Sequence, residues 1–135
     1  MSEARELASA FATAIEEQRF LDAFNFISQG GTYTVIGTTK ASGTYHGRSD
    51  VLNRLVPVLS GFVAPPAVKF AHIVVDQDRA VLIGAGKGVG PTGPYDQPYY
   101  AFSLRIANGQ IDEIVEFLDT TMLDTAVFGK AIVDR

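Results

Sequence analysis

The sequence of 135 residues contains no cysteine. That excludes disulfides, a thiol nucleophile and a thiolate-held metal. Histidine occurs only at His46 and His72, so an imidazole-based metal site would need carboxylates to complete it. Basic residues are in the minority, 11 Lys and Arg against 15 Asp and Glu, for a net charge of −4. This balance lacks the basic footprint of a nucleic-acid-binding protein. No apolar run approaches the roughly 18 residues that span a bilayer. The N-terminus opens on Glu3 and Glu6 rather than on the apolar core of a signal peptide. These absences predict a cytoplasmic protein with no nucleic-acid partner, no membrane segment and no metal.

What is present is an ordinary globular composition, 47% hydrophobic and 19% charged. The length predicts one domain over residues 1–135, with 130–135 as a tail. The stretch Tyr95 to Thr120 organises the rest. Asn108-Gly109 sits between two apolar runs, and both residues tolerate positive φ, so the pattern predicts a long β-hairpin. Upstream, Leu7, Phe11 and Ile15 recur at helical spacing and predict a helix over 2–19 capped by Ser2. A shorter helix is predicted over 20–27, ended by Gly30-Gly31. Strands follow at 32–39 and 42–45. A third helix, capped by Ser49 or Asp50, carries Leu52, Leu55 and Leu59, and Pro57 predicts a kink or an early end. Gly61 to Pro66 reads as loop, 68–75 and 80–89 as antiparallel strands, and 90–94 as a Gly-Pro loop. A last helical turn, 122–128, is closed by Gly129. Helices early and strands late predict an α+β fold, a cone of curved mixed sheet wrapped on N-terminal helices around an apolar interior.

The segments VIGTTKASGTYHGRSDVLNRL (Val35 to Leu55) and YAFSLRIANGQIDEIVEFLDT (Tyr100 to Thr120) resemble SnoaL-like proteins of the nuclear transport factor 2-like (NTF2-like) superfamily. That superfamily includes polyketide cyclases, ketosteroid isomerases and limonene epoxide hydrolases, besides members without catalysis. The resemblance covers roughly residues 5–129. It implies the cone fold, a pocket for a small apolar ligand, a homodimer and, for an enzyme, cofactor-free acid-base chemistry on an apolar carbonyl or polyketide-like compound. The departures are informative. Where ketosteroid isomerase carries its base, this chain has Tyr33-Thr34-Val35-Ile36, and the position of the second acid falls near Phe102. Of the Arg-x-Asp pair of limonene epoxide hydrolase, Arg79 is present and the aspartate is replaced by Val81. Neither catalytic set is intact.

Strand alternation divides the last strand into Asp112, Ile114, Glu116 and Leu118 on one face, and Ile111, Glu113, Val115, Phe117 and Asp119 on the other. Both faces mix apolar and acidic residues, and the resemblance points the Glu116 face inward. A carboxylate between Ile114 and Leu118 loses hydration, which raises its pKa into the range of a useful general acid or base. The residues leave two placements open: this pocket, or a surface with Glu116 solvated or paired to Arg105. His72 lies mid-strand with Val68, Phe70 and Val74, as a proton relay or as a core imidazole. Tyr100 shares a face with Phe102 and Leu104, as a hydroxyl that orients a ligand carbonyl or as a core ring. The predicted catalytic set is Glu116, His72 and Tyr100. The predicted lining is Phe102, Leu104, Ile114, Leu118 and Phe24. Tyr95 and Tyr99 are expected at the mouth or at a subunit contact, and Asp119 as the cap of the last helix. If the pocket is vestigial, Val115, Phe117 and Tyr99 make a dimer patch. The glycines at 84, 86, 88 and 90 have neither the spacing nor the following helix of a phosphate loop.

Overall fold

The structure, a computed structural model, describes residues 2–135. Helix α1 spans Glu3–Glu16. Ser2 caps it by accepting from the Arg5 N–H, and the acidic first turn suits its positive end. It buries Phe11, Ile15 and four alanines. Helix α2, Phe20–Asn25, buries Ala23 and Phe24. Six strands follow: β1 Ile27–Val35, β2 Gly43–His46, β3 Ala64–Asp76, β4 Arg79–Gly90, β5 Gly93–Ala107 and β6 Gln110–Phe117. They form one sheet in the order β2-β1-β6-β5-β4-β3. All neighbours are antiparallel except β1 and β6, so the sheet is mixed. Helix α1 packs across β3, β4 and β5, and α5, Thr120–Ala126, packs against β5. The predicted α+β architecture is the one observed.

Four local expectations are corrected. Gly30-Gly31 does not end a helix; both lie inside β1. A Cβ on Gly31 would sit about 3 Å from the Ile111 and Asp112 carbonyls, so glycine there lets β1 approach β6 closely. The third helix is capped by Gly47, while Asp50 reaches back to accept from the His46 N–H at 2.9 Å. Pro65 and Pro66 belong to β3, an edge strand that tolerates their missing donors. The loop after Gly90 shrinks to a turn before β5 resumes at Gly93.

Pro57 acts as expected, with a specific geometry. It follows a π-helical turn, Val51–Leu55, set between α3, Arg48–Asp50, and α4, Val56–Leu59. Pro57 cannot donate to the carbonyl four residues back, and its ring crowds that carbonyl. The chain widens by one residue there, and the Val56 N–H bonds the Val51 carbonyl instead.

Five register shifts interrupt the sheet, among them those between Ile27 and Thr32 in β1 and between Ala64 and Ala67 in β3, and three further single-residue bulges set which side chains face inward near the cavity. These bulges fall between Phe70 and His72 in β3, between Gly84 and Gly86 opposite Tyr100 and Gln97 of β5, and between Arg105 and Ile106 opposite Glu113 and Ile111 of β6. Each inserts one extra residue, bends the strand and reverses which alternate side chains face inward. Near the first, the Phe70 N–H is satisfied by the Glu16 carboxylate at 2.8 Å.

Candidate functional site

The helices and the concave sheet face enclose a partly open apolar cavity of about 90 Å3. Ile15, Phe20 and Phe24 close one side, Leu55, Val58 and Leu59 another, and Leu123 of α5 a third. The polar groups come from the sheet: Tyr33 of β1, Tyr95 and Tyr100 of β5, and Glu116 of β6.

Glu116 faces this cavity from the middle of the sheet, with Phe102 as its neighbour in register. Its Oε1 accepts from the Tyr33 hydroxyl at 2.5 Å. Burial pushes its pKa up to about 7, against the smaller lowering effect of the Tyr33 hydrogen bond. The carboxyl is therefore half ionised near neutrality, the state in which one group both takes and returns a proton. Arg105, the rival partner, instead pairs with Asp112 at 2.8 Å. Tyr33 is held well above the usual phenol range by burial first and the Glu116 charge second, so it stays a donor.

Tyr100 lines the cavity as expected, and its hydroxyl lies 2.8 Å from that of Tyr95. Burial drives Tyr100 well above the ordinary phenol value and Tyr95 to about 12. Tyr95 is not at the mouth; it is 2% exposed and part of the lining. The bulge near Pro98 explains the change. Before it, Tyr95 and Gln97 point inward; after it, Tyr100, Phe102 and Leu104 do. Gln97 is fully buried, with Nε2 3.1 Å from the Tyr95 hydroxyl.

His72 is excluded from the site. The β3 bulge turns Ile73 and Val75 toward the core and leaves His72 exposed on the outer face beside Val74. Phe102, Leu118 and Phe24 line the cavity. Leu104 and Ile114 do not: both are wholly buried, pair with each other across β5 and β6, and fill the core beyond the cavity. Arg79 lies on the outer face, bonded to Ser103 and Glu113. Asp119 caps α5 through the Thr121 and Met122 N–H groups. The alternating glycines face inward, where a Cβ on Gly86 would strike the Tyr100 ring at 2.7 Å and one on Gly90 the Ala126 carbonyl. They make room for packing.

The family comparison looks for a carboxylate at Tyr33-Thr34-Val35-Ile36, the end of β1, and so passes over Tyr33. Sequence reasoning also placed Tyr95 outside and gave Gln97 no role. Pro98 inside an apolar strand is the available signal for the bulge that brings all three β5 polar groups inward. Among the described residues no group of His, Asp and Glu is placed to hold a metal. No helix among the described residues is long and apolar enough to cross a membrane.

The architecture is the NTF2-like fold. An NTF2-like protein from Burkholderia thailandensis superimposes with a TM-score of 0.82 at 17% identity, over 93% of this chain and 98% of that one. TerC, co-crystallised with polyporic acid, matches with a TM-score of 0.80 at 14% identity, over 95% of this chain and 100% of that one. A structure described as a SnoaL-like polyketide cyclase from Jannaschia sp. CCS1 matches at 0.75 and 16% identity, over 96% of this chain and 94% of that one. No protein-family profile and no curated protein sequence matches this chain. The property shared with these structures is the fold.

Proposed function

We propose that this chain takes up a compact apolar carbonyl compound, polyketide-like in its enolisable carbonyl, and moves a proton on it without a cofactor, as an isomerase, cyclase or lyase does. The observation that carries this reading is the Glu116 carboxyl, set in an apolar cavity and titrating near 7. With Oε1 occupied by Tyr33, Oε2 is the atom left for the ligand. It takes a proton from the carbon beside the carbonyl, and the C–H electron pair moves to the carbonyl oxygen. The Tyr95–Tyr100 pair meets the charge that develops there. The carboxylic acid then returns the proton, to the same carbon or to another. TerC, a neighbour of the same fold, was co-crystallised with a small molecule, polyporic acid, which agrees with a ligand-binding cone. Size limits the enclosed part of the ligand to one ring at most, since the cavity of about 90 Å3 is smaller than the roughly 150 Å3 that holds benzene, and any remainder must extend through the open side.

The test is a panel of one-ring enolisable ketones in D2O, followed by NMR for loss of the α-proton signals. Exchange by the natural chain, reduced roughly 100-fold or more in Glu116→Gln, is the expected result. Exchange unchanged by that substitution removes Glu116 from the mechanism. The alternative is a binding module without catalysis. The cage of rings around the carboxyl, among them Phe24, Tyr33 and Phe102, supports it, because aromatic lining holds a ligand without reacting with it. Binding of panel members with no exchange at any pH decides for this alternative.

We also infer a homodimer through the outer sheet face. His72, Ile83, Ala101 and Phe117 are neighbours in register across four strands, as are Val74, Val81, Ser103 and Val115. Tyr99 is 80% exposed, Val74 57% and Phe117 45%. An exposed apolar strip of this breadth suits a protein contact. Light scattering is expected to give a dimer mass, and the double substitution Tyr99→Ser, Phe117→Ser a monomer. A monomeric natural chain at high concentration would rule the interface out.

A further inference from the structure

The Gln97 side chain is polar and has no exposed surface. Its amide is anchored at both ends by one residue: Oε1 accepts the Asp119 N–H at 2.9 Å and Nε2 donates to the Asp119 carbonyl at 2.8 Å. Only one amide orientation satisfies both bonds. The flipped amide would set oxygen against oxygen and N–H against N–H. The remaining Nε2 hydrogen therefore faces the Tyr95 hydroxyl, 3.1 Å away. An amide nitrogen donates and does not accept. Two tyrosine hydroxyls, 2.8 Å apart, hold two protons. One proton lies between them. The other has no protein acceptor among the described residues, because on the Gln97 side the pair already receives. Both tyrosines line the cavity.

We propose that Gln97 is a positioning residue that fixes the polarity of the Tyr95–Tyr100 pair, turning it into a hydrogen-bond donor toward the cavity. The cavity therefore selects a ligand with an acceptor oxygen, a carbonyl or an enolate, over its hydrocarbon isostere. This rests on the reading that the cavity takes an apolar carbonyl compound. With the amide reversed, Tyr100 would donate to Tyr95 and Tyr95 to Gln97, and the pair would present lone pairs to the cavity instead. The opposite ligand polarity would then be preferred. One buried amide, remote from the ligand, decides between a donor and an acceptor site.

The test uses two compounds of one shape, acetophenone and α-methylstyrene, in which a carbonyl oxygen is exchanged for a methylene. Dissociation constants are measured at pH 8.5, where Glu116 is ionised and donates nothing. The natural chain is expected to bind acetophenone more tightly by roughly fivefold, the worth of one neutral hydrogen bond. In Gln97→Glu an acceptor faces Tyr95, and the preference is expected to vanish. General loosening of the fold weakens both compounds alike, so their ratio isolates polarity from stability. If Gln97→Glu does not fold, the double variant Tyr95→Phe, Tyr100→Phe decides, since it keeps both rings and the Asp119 anchor and removes only the hydroxyls. A preference that persists in the double variant, or in a folded Gln97→Glu, overturns the proposal. So does equal binding of the two compounds by the natural chain. If neither compound binds, the carbonyl-pocket reading itself fails, and the proposal falls with it.

Discussion

Above neutral pH, Glu116→Gln is expected to be more stable than the natural chain, by about 3 kcal/mol at pH 8.5, or about 10 °C in melting temperature for a domain of this size. The sign follows from the direction of the shift. The carboxyl titrates at about 7 in the folded chain against an ordinary value of 4.5. Folding therefore favours the protonated form. The natural chain has the full benefit below about pH 4.5 and loses it as pH rises through about 7. Glutamine has no charge to bury and keeps an oxygen that accepts from Tyr33, so its stability lacks this dependence. The two chains should converge near pH 4.5 and diverge progressively to pH 8.5. Urea unfolding of both across that range measures the gap. Parallel profiles would mean that Glu116 reaches bulk water, and the cavity argument would lose its main group. Such a cost is what the proposed proton transfer by Glu116 would require, since a group held for chemistry trades away stability.

Phe102→Ala is expected to cost about 3–5 kcal/mol, the usual range for removing a buried phenylalanine. Phe102 is 4% exposed. Its ring meets Phe11 edge-on at 6.0 Å, Phe70 at 5.7 Å and Tyr100 at a tilt at 5.9 Å. It therefore ties α1, β3 and β5 together. Because the ring also borders the cavity, its removal enlarges an existing space, and benzene should recover part of the loss by filling it. The control is Phe117→Ala on the outer face, 45% exposed, which should cost within about 1 kcal/mol in the monomer. Equal costs at the two positions would contradict the packing. Urea unfolding with and without benzene gives both numbers.

The elements were legible in the sequence because they rest on local chemistry. Asn108-Gly109 makes the turn with both residues at positive φ, and Ser2 and Asp119 cap their helices as side-chain acceptors do. Glu116 was legible through the family resemblance, which pointed its face inward; alternation alone did not choose it over Glu113, which also lies between apolar neighbours, Ile111 and Val115. The rest was lost at the bulges. Alternation assumes an unbroken period of two, and one inserted residue inverts it. His72 fell to the outer face and Tyr95 to the inner one for this single reason. Leu104 and Ile114 were correctly placed as inward, but facing inward does not separate cavity wall from solid core. That distinction depends on the helices above the sheet, which strand periodicity does not encode. Gln97 was invisible because its function lies in its partners, and Asp119 is 22 positions away in the sequence.

Tyr33 and Glu116 are 83 positions apart, on strands that pair in parallel. The β1–β2 hairpin is synthesised well before β6, the strand that covers its open edge, with β3, β4 and β5 between them. For most of that interval the chain carries an uncovered row of backbone donors and acceptors, an invitation to pair with a neighbouring nascent chain. Contacts of such long range also close slowly. Expression yield should therefore respond more to chaperone supply and growth temperature than to the stability of the finished fold.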